Sequence, residues 1–162
     1  MTHPLSMGGH LCVSRLTFGY KLIKEKHDKI EEMEEEMKFL HTMIRVKDLE
    51  RSEKFYKETL GFVESRRKDF PEDEFTLLYL KLEDSPFELE LTYNYDGRDY
   101  TIGDGYGHIA ISHSDIKSFR EELKGKGYDV TELKSLSDKS DFYFFVKDPD
   151  GYKIEVIGEK NK

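Results

Sequence analysis

The sequence predicts an α+β fold of two tandem βαβββ modules, and two observations carry this prediction. The same order of elements occurs twice: a His that opens an alternating strand, a short amphipathic helix, and further strands of which the last carries a Glu. The order runs from His41 to Glu90 and again from His108 to Glu155, over nearly equal lengths. A repeat of this kind indicates two stacked supersecondary units whose equivalent positions meet near a pseudo-two-fold axis.

The first module is predicted over about residues 38–97. Its opening segment, KFLHTMIRV, alternates between a mostly apolar face and a face that carries His41 and Arg45, which is typical of a half-buried strand. Asp48 is suited to cap the helix that follows, LERSEKFYKETL, and Gly61 is suited to end it. Further strands are expected near residues 62–67, 75–82 and 87–94.

The second module, over about residues 106–158, repeats this order. HIAISH predicts a strand, and Asp115 is suited to cap a helix with apolar residues at i, i+3 and i+7 that stops at GKG. Strands are then expected near residues 129–133, 142–147 and 153–157. The DPDG sequence before the last strand has Pro149 and Gly151 in the positions of a type I turn.

Composition predicts one domain with a substantial core, because the chain has 162 residues and 36% apolar content. With 26 Lys and Arg against 34 Asp and Glu, the net charge of −8 argues against a nucleic-acid or anionic-membrane partner. The single cysteine, Cys12, excludes an internal disulfide and favours a cytoplasmic location. No segment has the pattern of a signal peptide or a membrane span.

Residues 1–37 form an N-terminal extension that differs from the domain predicted over 38–162. The charged run KLIKEKHDKIEEMEEEM has sparse apolar positions and predicts a solvated helix or a disordered arm. An alternative is that Met37 is the natural start, because a translated ribosome-binding site would be purine-rich and would read much like EEMEEEM. In either case we assign no chemistry to this segment.

Four residues from the two passes are candidate ligands of one metal ion: His41, Glu90, His108 and Glu155. Alternation places each on the polar side of its strand, where a carboxylate is costly unless it is paired or coordinating. A lone strand His is more often an ordinary polar residue, but four matching positions favour a metal. A His₂Glu₂ set suits Ni²⁺, Co²⁺, Zn²⁺, Fe²⁺ or Mn²⁺, and an octahedral ion would keep two positions for water or substrate.

Four motifs in order resemble glyoxalase I, the lactoylglutathione lyase family of the vicinal-oxygen-chelate superfamily: KFLHTMIRVKDLERSEKFYKETLGF, ELELTYNY, DGYGHIAIS and VKDPDGYKIEV. The resemblance covers about residues 38–157. It implies a homodimer with each metal site between chains, built from His41 and Glu90 of one subunit and His108 and Glu155 of the other. It also implies isomerisation of the methylglyoxal–glutathione hemithioacetal to S-lactoylglutathione through a metal-stabilised enediolate.

The resemblance further implies roles for individual residues. Glu155 is the candidate base that moves the proton, with Glu90 as its counterpart for the other stereoisomer. Arg45 and Asn94 stand where the family holds the γ-glutamyl end of glutathione, and a guanidinium suits a carboxylate. An inter-strand ion pair is the alternative for Arg45.

One region departs from the family pattern, and two other function classes compete. KSLSDKSDFYFF replaces a Gly/Pro-rich basic loop, so Lys139, or else Lys134, is the candidate for the glycyl carboxylate. The compact spacing resembles the Ni²⁺/Co²⁺-activated subclass more than the Zn²⁺ one. Another metalloenzyme of the superfamily, such as an epimerase, dioxygenase or thiol transferase, is one alternative, although the second Glu argues against the latter two. A metal-free binding module would not need His and Glu at all four positions.

Overall fold

Two four-stranded sheets, one from each module, form the described part of the chain. The computed structural model describes residues 37–135, 137 and 142–158, so residues 1–36 and Lys139 lie outside the described residues. The elements are, in chain order, β1 (His41–Arg45), α1 (Leu49–Lys54), a π-helical segment (Phe55–Thr59), β2 (Val63–Phe70), β3 (Phe75–Lys81), β4 (Glu88–Asn94), β5 (Ile109–His113), α2 (Ile116–Gly125), β6 (Lys134–Ser135), β7 (Phe142–Lys147) and β8 (Lys153–Gly158).

The strand order is the same in both sheets. The first sheet has the order β1-β4-β3-β2 and the second β5-β8-β7-β6. In each sheet the opening strand pairs parallel with the closing strand, β1 with β4 and β5 with β8, and the other pairs are antiparallel. This repeated topology confirms the predicted fold of two tandem βαβββ modules.

The apolar faces of both sheets belong to one hydrophobic core. Leu91 of β4 and Val156 of β8 are fully buried, as are Phe144 of β7 and Leu123 of α2. Burying a side chain of this size contributes about 2 kcal/mol. Because side chains alternate along a strand, the residues between these apolar positions, such as Glu90, project from the opposite face.

The helices follow the predicted boundaries with one difference. Asp48 and Asp115 accept hydrogen bonds from the backbone N–H three residues on, as predicted for N-caps. Gly61 has a φ of 75°, which suits a helix stop. The difference is that the predicted first helix continues beyond Lys54 as a π-helical segment. Within the described residues, no helix combines the length and the apolar character needed to cross a bilayer.

The prediction of a strand near residues 129–133 is wrong in position, because the regular strand β6 covers Lys134–Ser135 instead. The structure has an isolated bridge between Val130 and Val146, and the short strand β6 comes after it. The side chain of Arg120 donates from Nε to the Thr131 carbonyl at 2.7 Å, and the Phe145 N–H donates to the Thr131 hydroxyl at 2.9 Å. Backbone pairing with β7 is also present there, since the Thr131 N–H donates to the Phe145 carbonyl at 2.9 Å and the Lys147 N–H donates to the Asp129 carbonyl at 3.2 Å.

The DPDG turn before β8 joins the second module to the first. The N–H of Gly151 donates to the Asp148 carbonyl at 3.0 Å, which closes the predicted turn. The Asp148 carboxylate accepts from the Tyr56 hydroxyl at 2.9 Å, and Asp150 accepts from the Ser52 hydroxyl at 2.9 Å. The pKa of Asp148 is raised overall, because burial has a larger effect than the hydrogen bonds from Tyr152 and Tyr56, which lower it. The turn thus fixes the start of β8 against α1 and the π-helical segment.

We expect Tyr56→Phe to lower the free energy of unfolding by about 1–3 kcal/mol, because the buried Asp148 carboxylate loses one of its donors. Chemical denaturation followed by circular dichroism measures this change. Lys57→Ala is the control, since its side chain makes an exposed i,i+4 ion pair with Glu53, and we expect a change within about 0.5 kcal/mol. Equal stability losses in the two variants would contradict a role for the inter-module hydrogen bond.

Candidate active site

A His and a Glu come together on the polar face of the first sheet. In the register between the parallel strands β1 and β4, Met43 lies opposite Glu90. His41 stands two residues before Met43, and its Nε2 lies 3.0 Å from Oε2 of Glu90. The Glu90 side chain is 9% exposed, so its carboxylate is largely shielded from water and is stabilised by polar partners such as His41. We call His41 and Glu90 the first pair.

The second sheet repeats this arrangement. Ala110 of β5 lies opposite Glu155 of β8, and His108 stands two residues before Ala110. Nε2 of His108 lies 3.1 Å from Oε2 of Glu155. We call His108 and Glu155 the second pair. Matching registers in the two modules therefore produce two pairs with the same atoms in contact.

The two pairs do not meet within one chain. Among the described residues, no group of three or more His, Cys, Asp or Glu side chains is placed to hold a metal. Convergence of all four predicted ligands inside a single chain, as the pseudo-two-fold axis alone would suggest, is therefore not what the described residues show. Nδ1 of His41 is buried and, within the same part of the chain, has no hydrogen-bond partner. Among these residues each pair brings together two ligand residues, fewer than the four that a tetrahedral metal site needs, so we call each pair a half-site.

The donor atoms of each pair fit a divalent metal. Two ligands that lie at right angles, each about 2.1 Å from one ion, are about 3 Å apart. The contacts within the two pairs, 3.0 and 3.1 Å, agree with this separation. Imidazole nitrogen and carboxylate oxygen are ligands that Ni²⁺, Co²⁺ and Zn²⁺ accept. Each pair can thus supply two neighbouring ligands to one ion.

Tyr79 and Thr92 are neighbours of Glu90 that were not predicted as site residues from the sequence. The Thr92 hydroxyl donates to Oε1 of Glu90 at 2.8 Å. Burial and the neighbouring Glu90 carboxylate raise the pKa of Tyr79. Thr92 shares a face with Glu90 by strand alternation, which was a signal for it. Tyr79 lies opposite Glu90 only through the β3–β4 register, which the sequence does not reveal.

An ionised pair lies beside the first pair. Arg66 of β2 donates from Nη2 to Oε2 of Glu88 at 2.6 Å, and the Ser65 hydroxyl donates to the same carboxylate. Burial raises the pKa of Glu88, but the hydrogen bonds from Ser65 and Arg66 outweigh it and lower the pKa overall. The Arg66 guanidinium also lies 3.7 Å from the centre of the Tyr79 ring. These contacts fix the position of Tyr79.

The predicted substrate residues lie at the ends of β1 and β4. Arg45 is exposed, and the inter-strand ion pair considered for it is not formed among the described residues. The Asn94 amide donates from Nδ2 to the Tyr100 hydroxyl at 2.7 Å. Lys134 is exposed in β6, whereas Lys139 lies outside the described residues and its assignment stays a prediction.

Comparison with known proteins agrees with the fold. The family model described as Glyoxalase/Bleomycin resistance protein/Dioxygenase superfamily matches residues 38–156. Lactoylglutathione lyase of Haemophilus influenzae is 46% identical over 77% of this chain and 95% of the relative. The enzyme of the same name from Neisseria meningitidis serogroup B is 43% identical over 77% of this chain and 93% of the relative.

Two solved structures extend the likeness to three dimensions. The trypanothione-dependent glyoxalase I of Leishmania major is 41% identical with a TM-score of 0.66, over 76% of this chain and 87% of that chain. Glyoxalase I of Zea mays is 38% identical with a TM-score of 0.69, over 77% of this chain and 45% of that chain. The chain therefore belongs to the glyoxalase/bleomycin resistance protein/dioxygenase superfamily and, within it, to the glyoxalase I family.

Proposed function

We propose that this chain is a lactoylglutathione lyase, which isomerises the hemithioacetal of methylglyoxal and glutathione to S-lactoylglutathione and so detoxifies methylglyoxal. The observation that carries the proposal is the presence of two matching His–Glu pairs, each with Nε2 and Oε2 in contact. Relatives 40–46% identical to the chain bear the name lactoylglutathione lyase. A thiol substrate and a single cysteine suit a reducing compartment, so we place the enzyme in the cytoplasm.

We propose that the active form is a homodimer and that each site joins the first pair of one subunit to the second pair of the other. A two-fold axis brings two different patches together twice, so two such sites form in each dimer. Met43, which lies opposite Glu90 in the strand register, is 39% exposed, and apolar surface beside a half-site suits an interface. The half-site character of the first pair also supports this assembly.

In this assembly His41, Glu90, His108 and Glu155 would hold one divalent ion, with Ni²⁺ or Co²⁺ favoured and Zn²⁺ acceptable. The bound ion would stabilise the negative charge that develops on the oxygens of the substrate enediolate. These four residues supply oxygen and nitrogen donors without a thiolate, which agrees with this choice of metals.

The chain itself supplies the proton transfer. The Glu155 carboxylate takes the proton from the carbon beside the substrate carbonyl and returns a proton to the neighbouring carbon, which is general acid–base catalysis. Its side chain is 17% exposed, so the carboxylate is open to a substrate approaching the polar face of the second sheet. Glu90 is its counterpart on the first sheet for the opposite stereoisomer.

Arg45 binds the α-carboxylate at the γ-glutamyl end of the substrate, and Asn94 lies beside it. We expect Arg45→Ala to raise KM about tenfold or more and to change kcat much less, because the lost charge-assisted hydrogen bond is remote from the reacting carbons. Steady-state kinetics with the hemithioacetal measure both constants. Lys126→Ala removes a cation that pairs with Glu122, and it should leave KM unchanged. A KM equal to that of the control would remove Arg45 from the substrate site.

Reconstitution of the metal-free protein tests the proposed function. We expect Ni²⁺ or Co²⁺ to restore thioester formation from methylglyoxal and glutathione, and Zn²⁺ to restore less. A parallel assay with trypanothione separates the two thiols, since the Leishmania major neighbour is named as trypanothione-dependent. His113→Ala is the control, because this imidazole stacks on Phe119 and should leave the metal response intact. Absence of activity with every metal and both thiols would overturn the proposal.

A further inference from the structure

The polar face of the first sheet carries a lysine near its β2 edge, Lys68. In the strand registers, one row of residues crosses this face and takes one residue from each strand, in the order Arg45, Thr92, Leu77 and Lys68. Residues directly opposite one another on neighbouring strands project from the same face. Glu90 lies in the adjacent row, two residues from Thr92 along β4. Lys68 therefore shares a face with the first pair.

The ammonium of Lys68 is free to bind an anion. Lys68 is exposed and, within the part of the chain that the structure describes, its side chain makes no ion pair and no hydrogen bond. The neighbouring cation on the same face, Arg66, is already paired with Glu88 at 2.6 Å. The adjacent acid, Asp69, projects from the other face, where it accepts from the Thr76 hydroxyl at 2.7 Å. Neither carboxylate therefore neutralises Lys68 on the polar face.

The orientation of the substrate leaves the β2 side of this face for the aldehyde part. This step rests on the proposed function, in which Arg45 and Asn94 hold the γ-glutamyl end and the reacting carbons lie at the first pair. β1, which carries Arg45, is at one edge of the sheet, and β2 is at the other. The substituent on the substrate carbonyl carbon, a methyl group in methylglyoxal, therefore extends over β3 toward β2.

The separation between Glu90 and Lys68 suits a substituent longer than a methyl group. The two residues lie two strand spacings apart across the sheet and two residues apart along it, so their Cα atoms are about 12 Å apart. Leu77 is half-buried between them on the same face and offers apolar contact to the intervening carbon atoms. A methyl group does not reach the Lys68 ammonium, whereas a substituent with a carboxylate at its far end does.

We propose that Lys68 is a specificity residue that extends the activity of this chain to 2-oxoaldehydes whose substituent carries an anionic group. Its ammonium pairs with that group while Arg45 pairs with the carboxylate of the thiol part, so cations at the two ends of one row hold the two ends of the substrate. Such charge-assisted hydrogen bonds are stronger than neutral ones. The reacting carbons are the same as in the methylglyoxal hemithioacetal, so the isomerisation needs no further reactant.

Equilibrium binding of two thioethers of glutathione tests this inference without turnover. S-(4-carboxybenzyl)glutathione and S-benzylglutathione differ by one carboxylate at the far end of the substituent. We expect Lys68→Ala to weaken calorimetric binding of the first compound by the Ni²⁺-loaded protein about 10-fold and to leave binding of the second unchanged. Lys68→Arg keeps the charge and should retain most of the affinity. Lys124→Ala, which removes an exposed lysine of α2, should bind both compounds as the unaltered protein does. Equal losses for the two compounds, or no loss for either, would overturn the inference.

Turnover of the corresponding hemithioacetals tests the substrate class. We expect kcat/KM for the hemithioacetal of 4-carboxyphenylglyoxal to fall about 10-fold in Lys68→Ala and further in Lys68→Glu, with the values for phenylglyoxal and methylglyoxal unchanged in Lys68→Ala. A higher KM for the methylglyoxal hemithioacetal in Lys68→Ala would place Lys68 against the glutathione part and would contradict the inference. An unaltered enzyme that turns over none of these compounds would overturn the proposed function, whereas the affinities for the two thioethers would still decide the role of Lys68.

Discussion

Glu155→Gln is expected to lower kcat by about 10²- to 10⁴-fold while the fold is retained, because an amide cannot accept the substrate proton. The substitution preserves the shape of the side chain, and the apolar strand neighbours Ile154 and Val156, which are fully buried, are unchanged. Steady-state kinetics on protein saturated with Ni²⁺ measure kcat, and circular dichroism confirms the fold.

The matched control for this substitution is Glu132→Gln. Glu132 is an exposed glutamate whose side chain pairs with Arg120, and it belongs to neither His–Glu pair. We expect its kcat to equal that of the unaltered enzyme. A near-normal rate for Glu155→Gln would remove Glu155 from the catalytic role and direct attention to Glu90.

Mixing two inactive variants is expected to restore activity if the sites are shared between subunits. In a heterodimer of His41→Ala and Glu155→Gln, one site contains both defects and the other contains none. After random exchange of subunits, half of the dimers are mixed and one of their two sites is intact, which gives about a quarter of the unaltered activity. The rate of thioester formation, followed during exchange, measures the recovery.

A second mixture provides the control. His41→Ala and Glu90→Gln both alter the first pair, so every site of their heterodimer carries one defect. This mixture should remain inactive. Equal recovery in both mixtures, or recovery in neither when exchange is complete, would contradict a site built from the first pair of one subunit and the second pair of its partner.

Local pattern predicts much of this fold because strand alternation and caps are encoded by neighbouring residues. The apolar positions Leu89 and Leu91 are buried in the core, and the polar positions between and beyond them, Glu90 and Thr92, project from the other face, as alternation requires. The N-cap at Asp48 and the turn at DPDG are likewise local features, and both occur where expected.

Features that depend on contacts between distant residues were not predictable in the same way. Tyr79 lies opposite Glu90 only because β3 and β4 pair in one particular register. The β2–β3 pairing has an irregularity between Glu64 and Arg66, which strand alternation does not predict. Near Thr131, where a strand was predicted, the Thr131 carbonyl accepts a hydrogen bond from Arg120, which lies in a helix, and local pattern gives no sign of this contact. Sequence alternation shows which face a side chain occupies, but it does not show which side chain on another strand it will meet.

In the proposed dimer each chain carries two half-sites rather than one whole site, and this ties catalysis to mass action. In the assembly proposed here, a dissociated subunit retains its fold and both His–Glu pairs, yet it holds no complete ligand set. On dilution below the dissociation constant of the dimer, the concentration of active sites falls with the square of the subunit concentration. The cellular abundance of the protein therefore sets both how many sites exist and what fraction of them is assembled.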